Sequence, residues 1–468
     1  MQSKKVSIIK SELYFLPVQT RVPLKFGNET LTSVICARVK LTIENGDLNQ
    51  AVGWGETPLN IQWIWPSSLS YSERLESVQI LCKNISGSLP KVGYKGHALE
   101  LGYYLSENFL KKQLDSFNHN ARNQVEPIPW LAGLVCLSAF DIALHDAYGK
   151  LFNISTFDTF NSDWMSEDLS HFIEPSPLAP KSNFKKKYPC DYLLQNPKKL
   201  LKVWHLVGGL DPLEESDLTG NEPDDGHPVL LKDWIKSDKL DCLKIKLRGD
   251  DMEWDYERIV RVGKVAIDND VSWLTADFNC TVEDPEYVNK ILDTLTTEEP
   301  CIYGKILYIE QPFPYELEKN LLNVRSVSAR KPLFLDESAH DWRMVRLGFE
   351  LGWSGVALKT CKTLTGAILS ACWAIEHGMT LMVQDLTNPM LAQITHCQLA
   401  AHVQTIMGIE SNSMQFYPEA SAYEAQFHPR IYKRIDGVLD LSTLSLLGMG
   451  YGEMLTEKIL PPMEPTTI

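Results

Sequence analysis

From residue 240 onward, short apolar runs recur at intervals of roughly 25–35 residues, and nearly every run ends on a charged or amide side chain. They are CLKIKL (242–247), WLTADFN (273–279), ILYIEQP (306–312), PLFLDES (332–338), GVALKT (355–360), LMVQDL (381–386) and TIMGIE (405–410). Stretches with helical spacing of apolar residues lie between them, as at 255–266, 288–296 and 364–377. Strands that alternate with helices at this period build parallel βαβ units. A further apolar run, LKVWHLVG (201–208), brings the strands to eight, enough to close a barrel. An open doubly wound sheet would call for a Gly-rich phosphate loop after its first strand, and the chain has none.

The remainder of the chain has a different texture. Residues 1–128 form a mixed α+β region: SVICARVKLTI (33–43) and AVGWGE (51–56) have the pattern of strands joined by a turn at Glu44-Asn45-Gly46-Asp47. Helices are expected at 71–86 and 107–118. LAGLVCLSAFDIALHDAYGK (131–150) is expected to be a well-buried helix. Residues 161–235 are Pro-rich, charged and irregular, an insertion that contains the 201–208 strand and is expected to be functional or partly mobile. The barrel is thus expected over 129–430, followed by a closing segment, 431–468.

Bulk properties exclude some functions. A net charge of −15 and a pI near 5.3 argue against nucleic acid or an acidic membrane surface as partner. The opening MQSKKVSIIKSELYFL lacks the apolar core and cleavage site of a signal peptide, and no run approaches eighteen uncharged apolar residues. Ten scattered cysteines without a Cys-x-x-Cys pair fit reduced thiols, so the cytoplasm is the expected location.

Chemistry concentrates at the strand ends. In a parallel barrel all carboxyl ends open onto one face, and here they carry Lys244 and Lys246, Asp277 and Asn279, Glu310, Asp336 and Glu337, Lys359, Asp385 and Glu410. Converging carboxylates repel unless a positive charge sits among them. Oxygen ligands without His or Cys suit Mg²⁺, and Asp277, Glu310 and Asp336 are the expected metal acids. A single acid in such a position could equally cap the following helix, and a barrel-mouth lysine could simply pair with a neighbouring acid. Three acids on consecutive strands with lysines on either side favour the metal. Lys244 and Lys246 stand two apart on one strand and face the same way, with Lys359 about halfway round the barrel. Lysines crowded by other cations and a metal are expected to have lowered pKa values and to act as bases. With Mg²⁺ neutralising a substrate carboxylate, loss of the α-proton gives a stabilised enediolate, and opposed lysines can take the proton from one face and return it to the other.

These residues resemble the enolase superfamily, in the branch of muconate-lactonizing enzyme and mandelate racemase. RVPLKFG (21–27) and GWGE (53–56) resemble parts of that family's capping domain, and AFDIALHDAYG (139–149) its barrel-entry helix. LKIK (243–246), ADFN (276–279), IEQP (309–312), LDES (335–338), ALKTCKTLTG (357–366) and DGVLDLSTLSLLGMGY (436–451) follow in the family's order. The resemblance implies a modified (β/α)8-type, TIM-like barrel with an α+β capping domain. It implies Mg²⁺ on Asp277, Glu310 and Asp336, and Lys246 and Lys359 as paired acid and base. Lys244 would contact the substrate carboxylate and tune Lys246. Lysines on both strands resemble the muconate-lactonizing subgroup, which implies a racemase, epimerase or cycloisomerase. A lyase (an acid-sugar dehydratase or succinylbenzoate-type synthase) and a barrel without turnover that serves as a binding protein are the alternatives. The seventh strand, LMVQDLTNP, offers Asp385 where a histidine would mark the mandelate-racemase type. The chain departs from the family at Leu364-Thr365, where Gly-Gly is usual, and at Glu410 and Asn412, where dipeptide epimerases carry paired aspartates.

Asn279, Asp385 and Glu410 at the strand ends, with Phe26 and Trp63 from the capping region, are the expected substrate contacts. A small-molecule carboxylate is the expected partner and a homo-oligomer the expected assembly. His340 is expected to be a loop residue, and His396 and His402, six apart on one helix, lack the i, i+4 spacing of a metal pair.

Overall fold

The computed structural model describes residues 3–27, 29–452 and 460–465. Three strands, β1 (Val6–Phe26), β2 (Glu29–Asn45) and β3 (Gln50–Leu59), form an antiparallel sheet in the order β1-β2-β3. The β2–β3 turn falls where the sequence places it: Asn45 Oδ1 accepts from the backbone N–H groups of Asp47 and Asn49, each at 3.0 Å. Residues 21–26 belong to the far end of β1. There the pairing with β2 slips between Gln19 and Leu24, so that residues 20–23 leave the ladder. Helices follow at Tyr71–Ser88, Ala98–Tyr104 and Lys111–Ala121.

Eight strands then run parallel: β4 (Leu200–Val207), β5 (Cys242–Lys246), β6 (Trp273–Asp277), β7 (Ile306–Glu310), β8 (Leu333–Leu335), β9 (Gly355–Leu358), β10 (Thr380–Val383) and β11 (Ile409–Glu410). Their order is β10-β9-β8-β7-β6-β5-β4-β11. The seam between β10 and β11 is bridged by the Ile406 N–H donating to Leu381 O at 2.8 Å. A last strand, β12 (Val438–Asp440), pairs antiparallel with the start of β4.

Strand periodicity sorts the barrel into layers. Leu243, Ile245, Leu274, Ile309, Leu333 and Leu335 point outward into the core shared with the helices. Inside, Trp204, Cys242, Tyr308, Phe334 and Met382 form a separate apolar plug, with Tyr308 stacked on Phe334 at 4.0 Å between ring centroids. Two residues further along the same strands, the inward positions become Leu206, Lys244, Glu310, Asp336 and Gln384. The polar mouth therefore sits directly on a dry floor.

The insertion of 161–235 divides into two parts. Up to β4 it is a chain of turns and short 3-10 segments whose Phe172, Ile173, Phe184 and Leu193 join the barrel's outer core. Ser176 Oγ donates to Glu350 at 2.8 Å, the Trp373 indole donates to Glu174 O at 2.8 Å, and Lys187 pairs with Glu376 at 2.6 Å, which fixes it onto helices Trp342–Leu351 and Leu364–Glu376. After β4, residues 208–230 form a separate loop leading into helix Leu231–Asp238.

One helix among the described residues, Trp130–Leu151, is long and apolar enough to cross a membrane, and it lies in the interior, buried from Leu131 to Gly149. It packs on β3 through backbone contact. A Cβ on Gly55 would lie 2.1 Å from Ala139 O, and one on Gly53 would lie 2.1 Å from Ala143 O. Neither neighbour is a flexible side chain, so sheet and helix would have to separate. Gly55→Ala is expected to destabilise the protein by about 1–3 kcal/mol or more, the range for overpacking a close contact. Chemical denaturation of the variant checks this, and a midpoint equal to the parent's would show the approach to be looser.

Candidate active site

Because β5 and β9 stand four places apart in a ring of eight, Lys246 and Lys359 reach the barrel mouth from opposite walls. Both line one small space together with Lys244, Asp336, Asp385, Glu410, Asn412, Phe26 and Trp63. Its volume is about 30 Å³, room for one or two waters. Phe26 and Trp63 roof it from the antiparallel sheet: the Lys246 ammonium lies 5.9 Å from the Phe26 ring centroid and the Lys359 ammonium 5.2 Å from that of Trp63. The Trp63 indole donates to Glu337 Oε1 at 2.9 Å.

Asp277 and Glu310 stand opposite each other in the β6–β7 register. Lys244 lies among the acids, with Glu310 Oε1 at 2.6 Å and Asp277 Oδ2 and Glu410 Oε2 each at 3.0 Å. Lys246 bonds Asp277 Oδ2 at 2.5 Å. Lys359 bonds Asp336 Oδ2 at 3.1 Å and the backbone oxygen of Asp385 at 2.9 Å. Asn279 stands beside this group and donates to Glu337 Oε1 at 3.1 Å. All the expected residues are therefore gathered at one barrel end, although Asp277, Glu310 and Asn279 do not line the open space.

Two participants escaped sequence reasoning. Gln384 donates to Glu310 Oε2 at 2.5 Å and to the Tyr308 hydroxyl at 2.9 Å. Alternation from Met382 would have pointed to it rather than to Asp385 as the inward residue of β10. Lys362, on a 3-10 turn after β9, bonds both Asp336 Oδ1, at 3.5 Å, and the Asp336 backbone oxygen. No strand periodicity extends to that turn. The histidines lie elsewhere: the His340 ring is pushed down to about 3 by burial and by Lys362, His396 bonds Glu410 O at 2.6 Å, and His402 stacks on Phe157 at 3.8 Å.

The acids around the lysines set their protonation. Burial alone would lower Lys244 and Lys359, but the surrounding acids outweigh it, Glu310 and Glu410 at Lys244 and Asp336 at Lys359, and both ammonium groups are held above the usual lysine range. Only Lys362 is lowered, by burial and by Lys359 against the pull of Asp336. The acids divide in the same way. Burial opposes ionisation of Asp277 and Asp336, yet their lysines hold both below the carboxylate range. Glu310 is pushed well up by burial and by Asp277, Glu337 is raised by burial and Asp336, and Asp385 is raised to about 6 by burial and Glu410.

Six buried carboxyls (Asp277, Glu310, Asp336, Glu337, Asp385 and Glu410) face four buried lysines (Lys244, Lys246, Lys359 and Lys362), a formal excess of two negative charges. Glu337 Oε2 is buried with no hydrogen-bond partner. All the oxygens are hard donors. In type, placement and charge the group fits a divalent cation such as Mg²⁺. Among the described residues, however, no three His, Cys, Asp or Glu side chains form a closed metal cage as they lie, because the carboxylates are turned onto the lysines. A cation would have to take oxygens from those lysines.

Residues 229–458 match the family described as Enolase C-terminal domain-like. No curated protein matches the chain. Solved structures with the same fold include a dipeptide epimerase from Cytophaga hutchinsonii complexed with Mg and D-Ala-L-Val, 18% identical, covering 95% of each chain with a TM-score of 0.61. A dipeptide epimerase from Enterococcus faecalis V583, complexed with Mg and L-Leu-L-Tyr, is 15% identical over 95% of this chain and 99% of that one, TM-score 0.59. A muconate lactonizing enzyme from Pseudomonas fluorescens, complexed with muconolactone, is 16% identical over 96% and 98%, TM-score 0.58. At these identities the structural likeness establishes the capped barrel alone. Within it, residues 229–458 belong to the Enolase C-terminal domain-like family.

Proposed function

We propose that the protein is a Mg²⁺-dependent isomerase that abstracts the proton α to a carboxylate, either as a racemase or epimerase that returns a proton on the other face or as a cycloisomerase. The observation that carries this is the placement of Lys246 and Lys359 on opposite walls of one small space at the barrel mouth. A carbon held between a neutral lysine amine and a lysine ammonium can lose its proton to the first and gain one from the second, which inverts its configuration. Asp277, Glu310 and Asp336 would hold the cation, which when bound supplies positive charge to the substrate carboxylate as the α-proton leaves. Lys244, bonded to three carboxylates, orders that set and adds positive charge beside Lys246. Phe26 and Trp63 exclude water above the lysines. Since the space holds only one or two waters, the tip of β1 and the turn carrying Trp63 must part to admit a substrate.

The proposal is tested in D₂O with Mg²⁺ and a panel of dipeptides, N-acylamino acids and muconates. An isomerase incorporates deuterium at the α-carbon of one class and conserves mass apart from the label, whereas a lyase loses water. Lys246→Ala and Lys359→Ala should each lower turnover by about 10²–10⁴-fold or more, the range for a positioned acid or base. Undiminished activity in either variant would sink the two-lysine scheme.

Metal binding has a readout independent of turnover. A cation held only by the folded state raises the melting temperature in step with its concentration, by about 2.7 kcal/mol of stability at a hundredfold excess over Kd. Mg²⁺ should do this for the parent and for Lys359→Ala, and far less for Glu310→Gln or Asp336→Asn. The same response in all four proteins would place the cation elsewhere.

A further inference from the structure

We propose a second ligand site outside the barrel mouth: the cavity between the 208–230 loop and the end of β1 takes a small molecule with an apolar body and a hydrogen-bond-donating amine or ammonium group. The cavity encloses about 420 Å³, against about 30 Å³ at the mouth, and the two spaces share no lining residue. It is a product of the local sequence. Residues 20–23 leave the β1–β2 ladder, and the loop after β4 makes a long excursion before helix Leu231–Asp238 begins. The two segments meet at the rim, where Arg21 bonds Asp225 and His227 O, and the gap left between them is walled by Val22, Leu210, Val229 and Trp234.

Three polar side chains in this wall are left with unanswered hydrogen-bonding atoms. His205 of β4 is 1% exposed and Gln415 is 3% exposed, and His205 Nδ1 and Gln415 Oε1 have no hydrogen-bond partner. The third is Asp211. Both hydrogen bonds to its carboxylate, from Gly208 N at 2.8 Å and from Gln415 Nε2 at 3.3 Å, go to Oδ2. A mostly apolar cavity with a few converging polar atoms is the usual construction of a small-molecule site.

Charge selects the ligand. Arg21 on the rim is answered by Asp225 at 2.5 Å, and Asp217 by Arg261 at 2.8 Å. Asp211 has no such counter-ion. The nearby Arg258 donates instead to the backbone oxygens of Gly208, at 2.6 Å, and Asp211, at 3.1 Å. His205 stays neutral, because burial and Arg434 push its pKa well down. The unanswered atoms are thus a carboxylate oxygen, an amide oxygen and an imidazole able to donate or accept. An anion would be repelled by Asp211, and a wholly apolar ligand would leave these atoms unsatisfied. An amine on an apolar body satisfies both the wall and Asp211.

Isothermal titration of the full-length protein with phenethylamine, phenethyl alcohol and 3-phenylpropionate tests this. Phenethylamine should bind saturably with one-to-one stoichiometry, and the alcohol and the carboxylate at least tenfold more weakly. Asp211→Asn should weaken the amine at least tenfold. Val229→Trp, which fills the cavity without touching Asp211, should abolish binding. Asp385→Asn, at the barrel mouth, should leave the affinity within twofold. The proposal is overturned if phenethylamine does not bind saturably at millimolar concentration, if binding survives both cavity variants, or if it is lost with Asp385→Asn.

Discussion

Everything at the barrel mouth follows from an excess of buried negative charge. Six carboxyls and four ammonium groups are packed where water has little access, and each charge is far more costly there than at a surface. The cluster responds in two ways. Asp277 and Asp336, each held by two lysines, stay ionised and tightly paired. Glu310, which has Lys244 but also burial and Asp277 against it, is pushed toward the neutral form together with Glu337 and Asp385. Protons and a divalent cation are alternative ways to balance the same excess. The site is therefore poised between two states of charge, and the elevated Lys244 and Lys359 belong to the one in which protons do the balancing. Positive charge placed on Glu310 and Asp336 would remove the carboxylates that hold these lysines up, which is the condition under which a lysine becomes a useful base.

Such a cluster needs a rigid frame, which two dry layers provide. Below it, Trp204, Cys242, Tyr308, Phe334 and Met382 plug the barrel, so the carboxylates cannot relax into a solvated channel. Above it, the antiparallel sheet is held by close backbone contact at Gly53 and Gly55 and by a buried ion triad. Arg38 of β2 bonds Glu56 of β3 at 2.5 Å and Glu424, from the segment after β11, at 3.2 Å. The sheet that carries Phe26 is thus fixed at its base, while residues 20–23, just before the paired tip, leave the β1–β2 ladder. A firm base with a break in the ladder below the tip suits a roof that must open without losing register.

Most of the barrel was legible because its signals are local. Apolar runs of four to eight residues are strands in a parallel sheet, and the polar residue at each end marks the open face. All eight strands, the helix of 131–150 and the gathering of Lys246, Lys359, Asp277, Glu310 and Asp336 follow from that pattern. What was not legible depended on contacts between distant segments. β1 does not alternate cleanly, since one part of it packs on helices and another hangs over the mouth, so its first half gave no strand signal. The chain from 161 to β4 looks disordered by composition, yet Phe172, Phe184 and Leu193 are spaced to fit grooves on the outer helices rather than a repeat of their own. The protonation of the lysines belongs to the same class, because the sign of each shift is set by how many carboxylates surround the ammonium, and these come from several strands.

Strand β4 shows how one short sequence can serve two spaces. In WHLV, alternation sends Trp204 and Leu206 inward, one to the plug and the other to the mouth, and leaves His205 on the outer side. After β11 the chain repeats the division: Asn412 turns to the mouth and bonds Asp385, Glu410 and Leu206 N, while Gln415 faces the cavity and bonds Leu206 O. Leu206 is therefore gripped by its N–H from the mouth and by its carbonyl from the cavity. The two spaces share this one residue of backbone and no lining side chain, so β4 gives each its own polar contacts without mixing them.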